Sequence, residues 1–175
     1  MTKPHDADES TPPLVTVVIT NYNYGRFIER AIHSVQAQDY KHLEIIIADD
    51  ASTDDSAAIV EKLCQEDPRL KIISRDSRVG LARNKQAACR EASGDFITFL
   101  DADDYLCSVS KISAEVTLIT NYEQATGSTC VAYSARRTIV DGQIKRLSPS
   151  VSKQVAGDIF INLITRELPE IPRDF

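Results

Sequence analysis

The chain has 175 residues, of which 42% are hydrophobic and 26% charged, a composition typical of a single globular domain. Its formal net charge of -6 argues against a nucleic-acid or anionic-membrane surface, which would need basic patches. No apolar run approaches the roughly 20 residues of a membrane-spanning helix, so we expect no membrane segment and a cytoplasmic location.

The first segment, residues 1–13, is polar and acidic and ends at a Pro-Pro pair, which predicts a disordered tail. We do not expect it to be a signal or transit peptide. The four cysteines include no C-x-x-C pair, which favours buried, reduced thiols over a zinc site or disulfides. Residues 14–175 are predicted to form one α/β domain.

Two strand–helix units follow the tail. LVTVVIT (14–20) is a continuous β-branched run that predicts a strand buried on both faces, and RFIERAIHSVQAQ (26–38) has apolar residues at helical spacing. LEIIIA (43–48) predicts a second buried strand. STDDSAAIVEKLCQE (52–66) predicts a helix that Ser52, Thr53 and Asp54 cap at its start.

Two more units come next in the chain. LKIIS (70–74) predicts a third strand, VGLARNKQAACREA (79–92) a helix, and FITFL (96–100) a fourth buried strand. Residues 108–122 predict a further helix with Val109, Ile112, Val116 and Ile119 on one face. A hairpin about Asp141-Gly142 and a helix over 155–167 complete the predicted elements.

This alternation of strands and helices predicts a mostly parallel sheet with helices on both faces. Ligands of such sheets bind at the carboxyl ends of the strands, so polar residues that follow strands carry the functional information. Here TNYNYG follows the first strand, DDASTD the second and DADD the fourth, and GLARN opens the third helix.

The acidic run after the fourth strand is the first candidate site. In an extended chain Asp101 and Asp103 would point the same way, about 6.6 Å apart at the backbone, and could share one hard cation such as Mg²⁺ or Mn²⁺. Like charges that close repel one another, so a positive partner is expected among them. The alternative is that these aspartates cap the following helix or form a solvated turn.

Three further residues at the same rim suggest a nucleotide pocket. Of the Asp49-Asp50 pair only one side chain can face the cleft, and we expect it to be Asp50, accepting from a base N–H or a ribose hydroxyl. Arg83 could stack on a base or meet phosphate oxygens, or it is a solvated helix arginine. Tyr22 could stack on a base, or it is a half-buried aromatic residue at a strand end. Gly25 and Gly80 supply turns, and neither a G-x-G-x-x-G nor a P-loop motif is present.

Together these blocks resemble the family 2 glycosyltransferases, which have the GT-A fold, a Rossmann-like nucleotide-diphospho-sugar transferase fold. The resemblance is carried, in order, by VTVVITNYNYGRFIERAIHSVQAQ, LEIIIADDASTDDS and GLARNKQAACREASGDFITFLDADD, and it covers about residues 14–106. It implies transfer of a sugar from a nucleotide-diphospho-sugar donor to an acceptor hydroxyl, with inversion at the anomeric carbon. The acceptor, whether glycan, lipid or protein, stays unknown.

The resemblance also implies roles for individual residues. Thr20 and Tyr22 would line the nucleotide pocket, while Asp50 would contact the base and Arg83 the nucleotide. Asp101 would hold the ribose and help to bind the metal.

Asp103 would ligate Mn²⁺ or Mg²⁺ directly, by the same resemblance. The bound cation would stabilise the developing charge on the diphosphate leaving group.

The pattern departs from the family in its acceptor half, which is expected to be incomplete. Four acids, Asp158, Glu167, Glu170 and Asp174, are present there, but none lies in a motif that marks a general base. Two alternatives therefore stay open at this stage. One is a catalytically idle nucleotide-sugar-binding module, and the other is a phosphotransferase with Asp101 as its nucleophile.

Overall fold

Parallel strands form the sheet of the computed structural model, which describes residues 11–128, 137–140 and 143–146. The strands are β1 (Val15–Asn21), β2 (Leu43–Asp49), β3 (Leu70–Ser74) and β4 (Phe96–Asp101), in the spatial order β3-β2-β1-β4. The helices are α1 (Gly25–Gln36), α2 (Ser56–Glu66), α3 (Leu81–Glu91) and α4 (Lys111–Thr126). The predicted order of these elements is confirmed.

Alternate residues of the two inner strands face different helices. Val17 and Ile19 of β1 belong to a core cluster that includes Ile28 of α1 and Val60 of α2. Val18, between them, points to the opposite face, into a second cluster with Ala88 of α3. The continuous apolar runs thus bury both faces of the sheet, and the predicted placement of helices on both faces is confirmed.

The strand β4 differs from its prediction. Ile97 and Phe99 are 40% and 45% exposed, so one face of β4 is not buried as the apolar run suggested. Ile97 and Phe99 lie on the side of the sheet that α3 covers, and within the described residues α3 packs mainly against β1 and β2 and leaves the edge strand β4 largely uncovered. An apolar run by itself does not reveal which strand takes the edge.

Three local features differ from their predictions. Val109 is 61% exposed and precedes α4, so its assignment to the buried face of that helix was wrong. Cys107 is a free, exposed thiol rather than a buried one. Within the predicted tail, the Pro13 carbonyl accepts a hydrogen bond from the Tyr40 hydroxyl, and the Pro12 carbonyl lies 2.6 Å from a ring nitrogen of His42.

The chain divides into two compact units, residues 1–117 and 118–175. The first contains the parallel sheet, and the second contains an antiparallel pair, β5 (Arg137–Val140) and β6 (Gln143–Arg146), as the hairpin prediction expected. The predicted turn at residues 141–142, Cys130 and the predicted helix over 155–167 lie outside the described residues. No helix in the described ranges has both the length and the apolar character that a membrane crossing requires.

A partly buried polar network joins the amino-terminal ends of the strands. The carboxylate of Glu44 on β2 accepts hydrogen bonds from the Thr16 hydroxyl at 2.6 Å, from Lys71 Nζ at 2.8 Å and from the Ser93 backbone N–H at 2.8 Å. The Thr16 hydroxyl in turn accepts from the Gly94 N–H. Burial raises the pKa of Glu44, but the hydrogen bonds from Lys71, Ser93 and Thr16 outweigh it and lower this pKa to about 2.

We expect Glu44→Gln to lower the free energy of unfolding by about 1–3 kcal/mol at neutral pH. The substitution replaces a carboxylate that accepts three hydrogen bonds with a neutral amide. A carboxylate with a lowered pKa stabilises the fold above its unfolded pKa of about 4.3 and loses this effect as the pH falls towards the folded value. The difference between wild type and variant should therefore shrink in urea unfolding as the pH drops from neutral towards 3. Glu61→Gln, at an exposed position of α2, is the control, and an unchanged difference at both pH values would contradict the argument.

Candidate functional site

Residues from β1 and β4 meet where the order of the strands reverses, because β2 and β3 follow on one side of β1 and the chain then crosses to β4 on the other side. The strand β1 lies between β2 and β4, and the register places Thr20 beside Asp101. The Thr20 hydroxyl donates to Asp101 Oδ1 at 2.9 Å. Open α/β sheets bind ligands outside the carboxyl ends of the strands at such a topological switch point. We call the surface formed by Thr20, Asp101 and the turn at residues 102–104 the site lip.

The chain after β4 turns instead of staying extended. The Asp104 N–H donates to the Asp101 carbonyl at 2.9 Å, and Ala102 within the turn is 1% exposed. The extended geometry expected for Asp101 and Asp103 was therefore wrong, because the strand ends at Asp101. Asp103 is exposed at the site lip, and its backbone carbonyl accepts from the Arg30 guanidinium at 3.2 Å.

The two consecutive aspartates after β2 have separate sets of partners, although both are almost fully buried. Asp49 accepts from the Asn21 side-chain amide at 2.7 Å and from the Ser52 backbone and hydroxyl. Asp50 accepts from two consecutive backbone N–H groups of the β3–α3 loop, Val79 at 2.7 Å and Gly80 at 2.9 Å. Asp50 therefore fixes the loop that leads into α3.

Gly80 is the residue that lets this loop meet Asp50. Its φ of 85° and ψ of 159° lie in a region that only glycine enters readily. Gly80 directly precedes α3, and its N–H faces the Asp50 carboxylate.

The same loop brings Arg78 onto Tyr22. The guanidinium carbon lies 4.0 Å from the centre of the Tyr22 ring, and Nε lies 3.9 Å from Asp50 Oδ2. Arg78 thus touches two of the predicted nucleotide-pocket residues. Sequence reasoning missed it because β3 and the loop after it are far from Tyr22 in the chain.

The helix α3 brings Lys85, and not Arg83, to the site lip. Lys85 Nζ lies 3.5 Å from Asp101 Oδ1 and 5.3 Å from the centre of the Phe99 ring, while Arg83 is exposed. Asn84 and Ala88 face the sheet and are 1% and 0% exposed. At 100° per residue, Lys85 lies closer to that buried face than Arg83 does, but the sequence did not reveal that Asn84 and Ala88 form this face.

Hydrogen bonds join the loop after β1 to the loop after β2. The Ser52 hydroxyl accepts from the Asn23 N–H at 2.9 Å, and the Thr53 N–H donates to the Asn23 side chain at 2.7 Å. The helix α2 begins only at Ser56, whose N–H donates to Asp54 at 3.1 Å. The prediction that Ser52 and Thr53 cap this helix was wrong, because their side chains hold the neighbouring loop instead.

Two buried acceptors near the carboxyl ends of β1 and β2 lack partners within the described residues. They are Oδ1 of Asn21, the last residue of β1, and Oδ1 of Asn84, whose side-chain amide donates to the Ala48 carbonyl at 2.7 Å. Buried acceptors without partners are uncommon in folded proteins and are usually satisfied by water or a ligand. These atoms are therefore available to a hydrogen-bond donor.

The donor atoms of the site lip fit Mg²⁺ or Mn²⁺ by their chemistry. Asp101 and Asp103 offer hard carboxylate oxygens, and the Lys85 ammonium at Asp101 shows that a positive charge is accommodated there. Within the described ranges no three acidic, histidine or cysteine side chains form a metal-binding group. Water and substrate oxygens would have to complete the shell, which is the usual case for Mg²⁺.

An acid-lined lip at the switch point of a parallel sheet, beside an aromatic ring and two basic side chains, is typical of an α/β protein that binds a nucleotide. Residues 16–144 match the family model described as Glycosyl transferase family 2, and the chain belongs to this family.

The curated relatives include two beta-1,3-glucosyltransferases. Over 97 residues the chain is 41% identical to the GalNAc(5)-diNAcBac-PP-undecaprenol beta-1,3-glucosyltransferase of Campylobacter jejuni, covering 55% of this chain and 31% of that protein. Over 103 residues it is 39% identical to the UDP-Glc:alpha-D-GlcNAc-diphosphoundecaprenol beta-1,3-glucosyltransferase WfaP of Escherichia coli, covering 59% of this chain and 40% of that protein. The chain thus spans well under half the length of these relatives.

Solved structures of glycosyltransferases share the fold. The mannosyltransferase PcManGT from Pyrobaculum calidifontis, in complex with GDP-Man and Mn²⁺, superposes with a TM-score of 0.58 at 30% identity, covering 65% of this chain and 35% of that one. TarS from S. aureus in complex with UDP gives a TM-score of 0.58 at 26% identity, covering 63% of this chain and 33% of that one. These matches and the parallel sheet confirm the predicted GT-A fold.

Proposed function

We propose that the chain is the donor-binding part of a metal-dependent, inverting glycosyltransferase that moves a sugar from a nucleotide-diphospho-sugar to an acceptor hydroxyl. The observation that carries the proposal is the hydrogen bond between Thr20 and Asp101 at the switch point of a family 2 chain, with Asp103 on the turn that follows. The neighbouring structure with GDP-Man and Mn²⁺ supports the choice of donor class and metal.

Each predicted residue has a task in this proposal. Tyr22 and Asp50 bind the nucleobase, and Arg83, exposed on α3, meets the nucleotide from outside. Thr20 lines the nucleotide pocket, and Asp101 holds the ribose. The hydrogen bond between Thr20 and Asp101 keeps the carboxylate in one orientation, which is what a ribose hydroxyl needs in an acceptor.

Asp103, with help from Asp101, would hold Mn²⁺ or Mg²⁺, which supplies stabilisation of the negative charge on the diphosphate leaving group. Inversion requires the acceptor hydroxyl to attack the anomeric carbon from the face opposite the diphosphate, while a carboxylate takes its proton. The acids that the sequence offers for this step, Asp158, Glu167, Glu170 and Asp174, lie outside the described residues.

Phosphoryl transfer through Asp101 has less support. The match of residues 16–144 to the glycosyl transferase family 2 model favours sugar transfer over phosphoryl transfer.

Calorimetric titration of the 175-residue chain with UDP and GDP, with Mn²⁺ and with EDTA, tests the proposal. We expect one of the two nucleotides to bind in the presence of Mn²⁺ and to lose affinity in EDTA. A parallel assay should follow release of the nucleoside diphosphate from UDP-glucose and GDP-mannose. Binding without release under any acceptor would instead indicate a nucleotide-sugar-binding module, and no binding would contradict the proposal.

A further inference from the structure

The Lys85–Asp101 ion pair lies where the proposed cation would bind. The ammonium is 3.5 Å from Asp101 Oδ1, the same oxygen that accepts from the Thr20 hydroxyl. The side chains of Lys85 and Asp101 are 30% and 36% exposed, so solvent screens the pair only in part. Because two cations that share one carboxylate repel each other, a divalent ion at Asp101 and the ammonium in this position oppose one another.

The side-chain ammonium of Lys85 can change its position, whereas the backbone of this residue is fixed in α3. Its backbone lies in α3, which Asn84 and Ala88 hold against the sheet, so the root of the side chain is fixed. The four-carbon stem of a lysine is flexible and its ammonium has three donors, which suits a switch between two anionic partners at one lip. The ring of Phe99 lies under the ammonium and gives it an apolar surface along which to move.

The other basic side chains near the site lip have different partners. Arg78 lies over Tyr22 beside Asp50, and Arg30 donates to the Asp103 carbonyl and lies 4.7 Å from the Tyr105 ring. Within the described residues, Lys85 Nζ is close enough to Asp101 Oδ1 for its positive charge to act on that carboxylate. A nucleoside diphosphate brings at least two negative charges to this place. The two aspartates already balance the charge of one divalent ion, so a further positive charge is needed.

We propose that Lys85 couples metal binding to donor binding: its ammonium competes with a bare divalent cation for Asp101 and pairs with the diphosphate once cation and nucleotide bind together. The inference rests on the proposed function. Its consequence is positive cooperativity, since the diphosphate gives Lys85 a new partner when the cation displaces it. The residue thereby favours the metal–diphosphate complex over the free metal.

Lys85→Met tests this coupling, because it keeps an unbranched side chain and removes the charge. Titration with Mn²⁺ alone should give an affinity about threefold higher than in wild type, in the range of a partly exposed ion pair. With Mn²⁺ present, affinity for inorganic pyrophosphate and for the nucleoside diphosphate should fall about tenfold, since a charge-assisted contact is lost. Affinity for the nucleoside without phosphate should not change.

Two controls separate this role from a merely structural one. Lys85→Arg keeps the charge and should restore most of the pyrophosphate affinity, and Lys62→Met removes an exposed lysine from α2 and should change neither affinity. Urea unfolding of each variant confirms that it is folded before titration.

Opposite shifts for Mn²⁺ alone and for Mn²⁺ with pyrophosphate support the inference. Shifts in the same direction, or unchanged affinities in Lys85→Met, overturn it while leaving the proposed function intact. If the wild-type chain binds no nucleoside diphosphate with Mn²⁺, the proposed function fails first, and the role of Lys85 fails with it.

Discussion

Replacing Asp103 by Asn is expected to abolish Mn²⁺-dependent nucleotide binding while the chain stays folded. Asp103 is exposed on the turn after β4, and its contact with Arg30 is made by the backbone carbonyl, which the substitution preserves. The free energy of unfolding should therefore change by less than about 0.5 kcal/mol. The neutral amide removes a ligand charge from a site to which the protein contributes few ligands.

The affinity of the chain for Mn²⁺ with UDP or GDP should fall by about 100-fold or more, because even outer-shell partners of a metal typically account for about 10–100-fold. Calorimetric titration with and without Mn²⁺ measures the loss. Asp39→Asn is the matched control, since Asp39 is an exposed aspartate that follows α1, away from the site lip. Unchanged Mn²⁺-dependent affinity in Asp103→Asn would remove this residue from the metal site.

Asp50→Ala should weaken binding of the nucleoside diphosphate about tenfold, or about 1.4 kcal/mol, without changing its response to Mn²⁺. The physical reason is the loss of a buried acceptor for the base. The structure adds a second consequence, since Asp50 also accepts from the N–H groups of Val79 and Gly80. Leaving these two donors without their acceptor should lower the free energy of unfolding by about 1–3 kcal/mol.

The affinity for pyrophosphate distinguishes the loss of a contact with the base from a general loss of the site's structure. The affinity of Asp50→Ala for Mn²⁺ with pyrophosphate should equal that of wild type, because pyrophosphate has no base. An equal loss for pyrophosphate and for the nucleotide would contradict a role at the base. A double-mutant cycle with Arg78→Met then asks whether Asp50 also acts through the loop that carries Arg78, since residues that act as one unit give non-additive losses.

Local patterns were enough to predict the order of strands and helices in the first unit. The β-branched runs over 14–20 and 43–48 became the inner strands, since residues on both faces of such a strand must be apolar to be buried. Helix boundaries were less accurate, as the start of α2 shows. Ser52 has the residue type of a cap, but its hydroxyl is held by Asp49 and the loop after β1.

The candidate site was predictable in its residue types and only partly in its geometry. Thr20 and Asp101 meet because both follow the register of a parallel pair. The turn after Asp101 was missed, because an extended chain was assumed where the strand ends. The contact between Arg78 and Tyr22 joins segments that are distant in the chain, and no local pattern reports such a contact.

The sequence by itself determined a parallel α/β fold and the acids that follow its strands, because periodicity and residue type are local properties that the chain carries without its folded context. Only the tertiary structure decided which basic side chain lies beside those acids. Packing of Asn84 and Ala88 against the sheet sets the rotation of α3, and that rotation brings Lys85 to Asp101 and leaves Arg83 exposed. The rotation of a helix about its axis depends on the surface it packs against, and that surface is assembled from strands that come together only when the chain folds.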